Sequence, residues 1–292
     1  MNWSLFFAVL SPAIFGLMNV FDTYIVKLRV KKVIGFSMVS ALTNISLGII
    51  LASFLSWKSY DLVDYLFPTL AGFVMGIQLY FYYFMLSKHD SSHAIGLFYT
   101  YPIIVAILSF FFLNEKLSLL GYVGMIVALS GVLLLSIRVR KLKINIAVWS
   151  ISLVTIGAAL HEFFAKIATS QISAWNATAI NSIVMGWFAI ILLLKKKYRK
   201  EFVSEFKNVK LTLFSELLTL GGVLTIYLAM VGLPATIVSV VSVLQPLFVL
   251  FFEWVAFSFG FKIVKDLNWR HKLFAIVMIV VGLILLYFND IV

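Results

Sequence analysis

Residues 93–112 read HAIGLFYTYPIIVAILSFFF, an apolar run with one proline, Pro102, near its middle. Residues 237–256 read IVSVVSVLQPLFVLFFEWVA and carry Pro246 at the corresponding place. Each run is long enough to cross a hydrocarbon core of about 30 Å as an α-helix. Two proline-containing runs of the same design, one in each half of the chain, predict an internal repeat.

Apolar runs of this length recur along the whole chain, which is 63% hydrophobic and 12% charged. Soluble domains are about half apolar and a quarter charged. Backbone groups in lipid must find partners within the protein, so long apolar runs form helices. The sequence predicts an all-α membrane protein with ten transmembrane helices: Trp3–Tyr24, Gly35–Ser56, Leu66–Leu86, His93–Leu113, Ser118–Ile137, Asn145–Ala165, Ala174–Leu194, Thr212–Gly232, Thr236–Ser258 and His271–Phe288.

The repeat unit extends beyond the proline-containing spans. The next span in each half ends in a similar run, SGVLLL at 130–135 and VGLILL at 281–286. The unit therefore contains five spans, and an odd number of spans places the second copy upside down. We expect two inverted five-helix repeats, residues 1–140 and 141–292, an architecture typical of transporters with a site near the membrane midplane.

The basic residues predict the orientation of the chain. Of 23 Lys and Arg, all but Lys58, Lys116 and Lys166 lie in loops that follow odd-numbered spans, including the strongly basic Lys195–Leu211. Cytoplasmic loops carry the excess of basic residues. This distribution therefore predicts a multi-pass protein of the cell (cytoplasmic) membrane, with both termini on the extracytoplasmic side. The net charge of +11 therefore reflects membrane orientation rather than nucleic-acid binding.

A family resemblance rests on the first half of the chain. Tyr101-Pro102 is followed by the turn Asn114-Glu115-Lys116-Leu117-Ser118, and then by Gly121 and Gly131-Val-Leu-Leu. This combination resembles the EamA domain of the drug/metabolite transporter superfamily. The opening FGLMNVFDTY, residues 15–24, is similar to the first span of some members.

The resemblance implies ten spans in two copies, and export or exchange of small metabolites such as amino acids, often coupled to protons. It is looser in the second half, where Phe259 stands at the position of the expected acidic turn and Glu253 precedes it.

Polar residues inside the predicted spans are the candidate site residues, because they are costly in lipid unless they face a cavity or a partner. The candidates for binding substrate are Asn19, Gln78, Tyr99, Tyr101, Asn181 and Gln245. The candidates for a gate or for proton coupling are Asp22, His161, Glu162 and Glu253. Pro102 and Pro246 are expected to kink their spans and to free carbonyls that line the cavity.

Several of these residues have simpler explanations. Glu162 and Lys166 stand four residues apart and can pair along one helix face. Asp22 can lie at the water interface, and Glu216, one turn into span eight, is expected to do so. Tyr82 and Tyr83 are expected to join an interfacial aromatic belt.

Small and amide residues indicate helix packing. Gly72-Phe-Val-Met-Gly76 predicts close approach of another helix. Thr43-Asn44 and Asn181-Ser182 either face the cavity or join helices through hydrogen bonds.

The leading hypothesis is a secondary transporter that needs no cofactor and acts as a monomer or a homodimer. The chain has no phosphate-binding glycine loop, so ATP is not the evident energy source. The HEFFA sequence at 161–165 lacks the second histidine of a zinc protease, which argues against a metal site. The alternatives are a membrane-embedded lipid-modifying enzyme and a channel or structural membrane protein.

Overall fold

The computed structural model describes residues 3–58, 60–88, 98–136, 146–259 and 269–291, and all regular secondary structure among them is helical. The helices are α1 (Trp3–Leu28), α2 (Val33–Phe54), α3 (Leu66–Lys88), α4 (Tyr101–Phe112), α5 (Leu119–Ser136), α6 (Ile146–Gln171), α7 (Ala174–Met185), α8 (Trp187–Leu193), α9 (Lys196–Glu205), α10 (Val209–Gly232), α11 (Ala235–Val241), α12 (Gln245–Ser258) and α13 (Trp269–Leu286). Short 3-10 helices cover Leu62–Tyr65, Phe206–Asn208 and Ser242–Leu244, and a π-helix covers Tyr287–Ile291.

Eight helical segments in the described part are long and apolar enough to cross a membrane. They correspond to predicted spans one to three and six to ten. Two shorter apolar helices, Tyr101–Phe112 and Leu119–Leu134, coincide with predicted spans four and five, and the first residues of span four lie outside the described residues. The prediction of an all-α membrane protein is confirmed.

The basic segment Lys195–Leu211 is not the simple loop that its composition suggested. It forms α9 and a 3-10 turn, and α9 packs against α2. Tyr198 and Phe202, one turn apart, pack against the apolar cluster between the helices. The lysines around them are largely exposed, so α9 is amphipathic and suits a position at the membrane surface.

Helices from the two halves of the chain pack against one another. α1 runs antiparallel to α10, because Ser4 lies beside Gly232 and the Ser11 hydroxyl donates to the Gly222 carbonyl at 3.3 Å. α2 packs on α7, and α3 packs on α6. The two halves therefore share one interior.

α5 and α13 cross where two glycines meet. A Cβ added at Gly124 would lie 2.6 Å from the Gly282 carbonyl oxygen, and one added at Gly131 would lie 2.7 Å from the Ala275 carbonyl oxygen. The order of these contacts makes the two helices antiparallel. Small residues permit such close backbone approach within a membrane.

The predicted close packing at Gly72 and Gly76 is confirmed. A Cβ at either position would lie 2.5 Å from a carbonyl oxygen of α7, that of Asn181 or that of Met185. α3 and α7 therefore touch through their backbones.

Carboxylates from one half of the chain cap helices of the other half. Glu205 accepts from the Lys31 and Lys32 N–H groups at 3.1 and 3.0 Å, at the start of α2. Asp290 accepts from the Ser118 N–H at 2.6 Å, at the start of α5. A negative charge at a helix N-terminus satisfies free N–H groups and complements the helix dipole.

Glu115 of the EamA-like turn makes a third cap of this kind. Its carboxylate accepts from the Ala235 and Thr236 N–H groups at 3.2 and 3.4 Å, at the start of α11. Asn114 adopts a φ of 54°, which ends α4 and lets the Glu115 N–H return to the Ser109 carbonyl at 3.1 Å. The turn therefore has a structural role.

We expect Glu115→Ala to lower the free energy of unfolding by about 1 kcal/mol, the usual cost of losing a helix N-cap. The measurement is thermal unfolding of the detergent-solubilised protein. Lys116→Ala is the control, because Lys116 is exposed and should have a smaller effect. Equal stability of the two variants would contradict a capping role.

Candidate functional site: a central cavity

A cavity of about 130 Å³ lies between the two halves of the chain. It is lined by α1, α3 and the start of α4 from the first half, and by α6, α10, α12 and the end of α7 from the second. Nine of the ten residues predicted to bind substrate or carry protons line it: Asn19, Asp22, Gln78, Tyr99, Tyr101, His161, Glu162, Gln245 and Glu253.

Each of the two prolines lies in the first turn of an α-helical segment. Pro246 lies in the first turn of α12, after α11 has ended at Val241 and a 3-10 turn has followed. Pro102 lies in the first turn of α4. Proline suits this position because its missing N–H would be unpaired there. Tyr101 and Gln245, which precede the prolines, are brought to the cavity wall.

Asp22 lies in a hydrogen-bond network at one end of the cavity, in which each of its oxygens contacts a hydroxyl. It is 1% exposed, so the alternative of a water-interface position is wrong. One carboxylate oxygen accepts from the Ser215 hydroxyl and the other from the Tyr82 hydroxyl at 3.1 Å. Tyr82 also lies 2.6 Å from the Asn19 amide oxygen, so this group joins α1, α3 and α10.

Glu216 extends this network, although the sequence placed it at the water interface. It is completely buried. Its oxygens accept from the Ser40 hydroxyl, from the Tyr83 hydroxyl at 3.0 Å and from the Asn44 amide at 2.6 Å. Asn44 is therefore a helix-joining residue.

The signal that could have identified Glu216 is the pair Ser40 and Asn44, which share one face of span two. Such a face needs a polar partner on another helix. The sequence alone does not say which helix supplies it.

The predicted aromatic belt is wrong for Tyr82 and Tyr83. Both line the cavity, and Tyr83 is only 1% exposed. Their hydroxyls are used inside the protein to hold Asp22 and Glu216, because buried hydroxyls need partners as much as buried carboxylates do.

The carboxylate of Glu162 has fewer hydrogen-bond partners than that of Asp22. One carboxylate oxygen, Oε1, accepts from the Tyr101 hydroxyl at 2.9 Å. The other, Oε2, is buried and has no hydrogen-bond partner in the described protein. The same is true of His161 Nε2 and the Tyr99 hydroxyl.

Lys166 does not pair with Glu162 in the structure, so the alternative of a pair along α6 is wrong. Its ammonium donates to the Met230 and Leu233 carbonyls, each at 2.8 Å. These carbonyls end α10, where a positive charge complements the helix dipole.

Asn181, the tenth predicted residue, is buried behind the cavity wall. Its side chain forms a hydrogen bond with that of His161, and its Oδ1 atom lies 3.5 Å from the Tyr227 hydroxyl. Glu253 is half-buried on α12, on the cavity side. No group of three or more metal-ligating side chains occurs within the described ranges.

Comparison with known proteins agrees with the membrane fold. Residues 2–137 match the EamA-like transporter family. A solved structure titled "Crystal structure of protein" has a TM-score of 0.63 with this chain at 14% identity, over 95% of each chain, and this likeness shows the fold alone. No curated protein matches the sequence. The match over residues 2–137 confirms the resemblance seen in the sequence, and the EamA-like transporter family is part of the drug/metabolite transporter superfamily.

Proposed function

We propose that this chain is a secondary transporter that exports or exchanges small organic metabolites by alternating access. The observation that carries the proposal is the central cavity, which both halves of the chain line with polar side chains. Residues of this type inside a membrane protein mark the path of a solute or proton. An enzyme acting on lipid would place its reactive groups toward one membrane surface, whereas these groups surround an interior space.

The packing supports two inverted repeats, residues 1–140 and 141–292. In two repeats of this design, α1 corresponds to α6 and α3 corresponds to α10. A contact of α1 with α10 then requires an equivalent contact of α6 with α3, and both contacts occur. α2 corresponds to α7 and α5 corresponds to α13, so the contact within each of these two pairs joins a helix to its own counterpart in the other half. Two similar halves of opposite orientation can exchange conformations, which would open the cavity to each side in turn.

Asp22 and Glu216 are proposed to form a gate at one end of the cavity. Their network joins α1, α2, α3 and α10 through hydroxyl and amide donors. Opening that end would separate these donors from the carboxylates. Proton uptake would offset the separation, because a neutral carboxyl is less costly to leave unpaired than a carboxylate. Asp22, Glu162 and Glu253 are the proposed sites of proton exchange.

In this proposal the chain lies in the cell membrane with both termini on the extracytoplasmic side, which the distribution of basic residues favours. Reporter fusions after Val292 test this orientation, and activity of a cytoplasm-dependent reporter would contradict it.

The transport proposal is tested with purified protein in proteoliposomes. We expect solute uptake above that of protein-free vesicles, with a rate that depends on an imposed pH gradient if protons are coupled. The panel should contain metabolites of each charge class. Turnover of a lipid without flux of any solute would favour the enzyme alternative and reject the proposal.

A further inference from the structure

We propose that the solute is an organic cation, an amine with an apolar body, whose ammonium group binds beside Glu162. This inference rests on the proposed transport function and specifies its substrate class. It starts from three buried polar atoms that have no partner in the described protein: Glu162 Oε2, His161 Nε2 and the Tyr99 hydroxyl. All three side chains line the cavity and are at most 5% exposed.

These atoms suit a ligand that donates hydrogen bonds. Buried polar atoms normally have partners. In the ionised carboxylate Glu162 Oε2 can only accept, and the Tyr99 hydroxyl can accept as well. The His161 side chain already bonds that of Asn181, and a neutral imidazole with Nδ1 as its donor leaves Nε2 as an acceptor. A primary ammonium carries three donors and has no acceptor to satisfy.

The charges around the cavity favour a cation. The lining contains the carboxyl groups of Asp22, Glu162 and Glu253, and no Lys or Arg among its described residues. Lys166, on the same helix as Glu162, is directed to the carbonyls at the end of α10. A cationic ligand would therefore supply a positive charge that the described lining residues do not provide.

Glu162 differs from Asp22 in its capacity to bind a ligand. Both oxygens of Asp22 lie within hydrogen-bond distance of protein hydroxyls, those of Ser215 and Tyr82. Glu162 uses one oxygen for Tyr101 and has the other available. The Tyr101 hydroxyl thus orients the carboxylate without occupying it.

The walls beside Glu162 suit an apolar or aromatic body. The rings of Phe98 and Tyr99 have centroids 5.0 Å apart, and those of Phe98 and Tyr101 are 5.4 Å apart. Met75 and Ile226 also line the cavity. Aromatic faces attract a cation, most strongly where water is excluded.

A zwitterion or an anion fits this lining less well. A buried substrate carboxylate without a positive partner is costly. The helix starts at Tyr101 and Gln245 could offer N–H groups, but proline in each first turn removes one of them. The Ile103 N–H already donates to the Thr100 carbonyl at 3.1 Å.

The test compares three compounds with one aromatic body and different head groups: phenethylamine, phenylalanine and 3-phenylpropionate. Binding to the detergent-solubilised protein and gradient-driven flux in proteoliposomes are measured for each. We expect phenethylamine to bind at least about tenfold more tightly than the other two, and to be the one carried.

Glu162→Gln keeps the shape of the side chain and removes its charge. We expect it to weaken phenethylamine binding at least about tenfold, while Glu201→Gln, the same change on the outer helix α9, leaves binding unchanged. The head-group comparison on the unmodified protein does not depend on either variant folding.

The outcomes separate this inference from the transport proposal. Preference for phenylalanine or 3-phenylpropionate, with saturable flux, would overturn the cation inference and leave transport intact. Equal phenethylamine binding by Glu162→Gln and the unmodified protein would also overturn it. An absence of flux for every compound of every charge class would reject both.

Discussion

Glu216→Leu is expected to lower the free energy of unfolding by about 3 kcal/mol or more, because it leaves several buried donors without an acceptor. Ser40, Tyr83 and Asn44 all donate to this carboxylate, and all are at most 1% exposed. Each buried polar group that loses its partner costs about 1–3 kcal/mol. Thermal unfolding of the detergent-solubilised protein, together with the yield of monodisperse material, measures the effect.

Glu216→Gln is the matched control for this prediction. Gln keeps the length of the side chain and one acceptor oxygen. Its amide group can also donate to Asn44 Oδ1, which has no hydrogen-bond partner in the described protein. We therefore expect Gln to retain most of the stability that Leu loses. Leu and Gln variants of equal stability would show that the network contributes little.

Gly282→Ala is expected to destabilise the crossing of α5 and α13 by about 1–3 kcal/mol, the usual cost of overpacking. The added Cβ would meet the Gly124 carbonyl oxygen, the Ala128 N atom and the Ala128 Cβ, the last at 2.8 Å. Two of these are backbone atoms, which cannot rotate away as a side chain can, so the helices must separate. The same unfolding measurement applies.

Gly221→Ala provides the control within the same protein. A Cβ at Gly221 would meet only the tip of Ile14, at 3.9 Å. Alanine also favours the helix by about 1 kcal/mol over glycine. We therefore expect Gly221→Ala to be neutral or stabilising. A neutral Gly282→Ala would mean that α5 and α13 can move apart at no cost.

Most of the cavity could be predicted from the sequence because its residues are polar groups inside apolar runs. Asn19, Gln78 and Gln245 stand out in this way, and all three line the cavity. Tyr83 could not be predicted, because tyrosine is common both at membrane interfaces and inside proteins. Its partner, Glu216, lies on a helix far along the chain.

The basic segment Lys195–Leu211 and the starts of α4 and α12 show the same limit. Basic residues indicate a surface position, but α9 forms because Tyr198 and Phe202 can pack against the bundle. A proline indicates a break in a helix, but whether the helix kinks or begins anew depends on its neighbours.

Hydropathy therefore determined by itself that this chain is an α-helical membrane protein and where its apolar helices lie. The motif residues around Pro102 and Glu115 carried the resemblance of its first half to EamA domains. Hydropathy and short motifs are local properties of the chain, and a lipid-spanning helix satisfies its own backbone hydrogen bonds. The tertiary structure alone decided which carboxylates contact donors through both oxygens and which retain a buried oxygen without a partner in the described protein. Hydrogen-bond partners come from distant helices, so Asp22 and Glu162 look alike in sequence and differ only once the helices are packed.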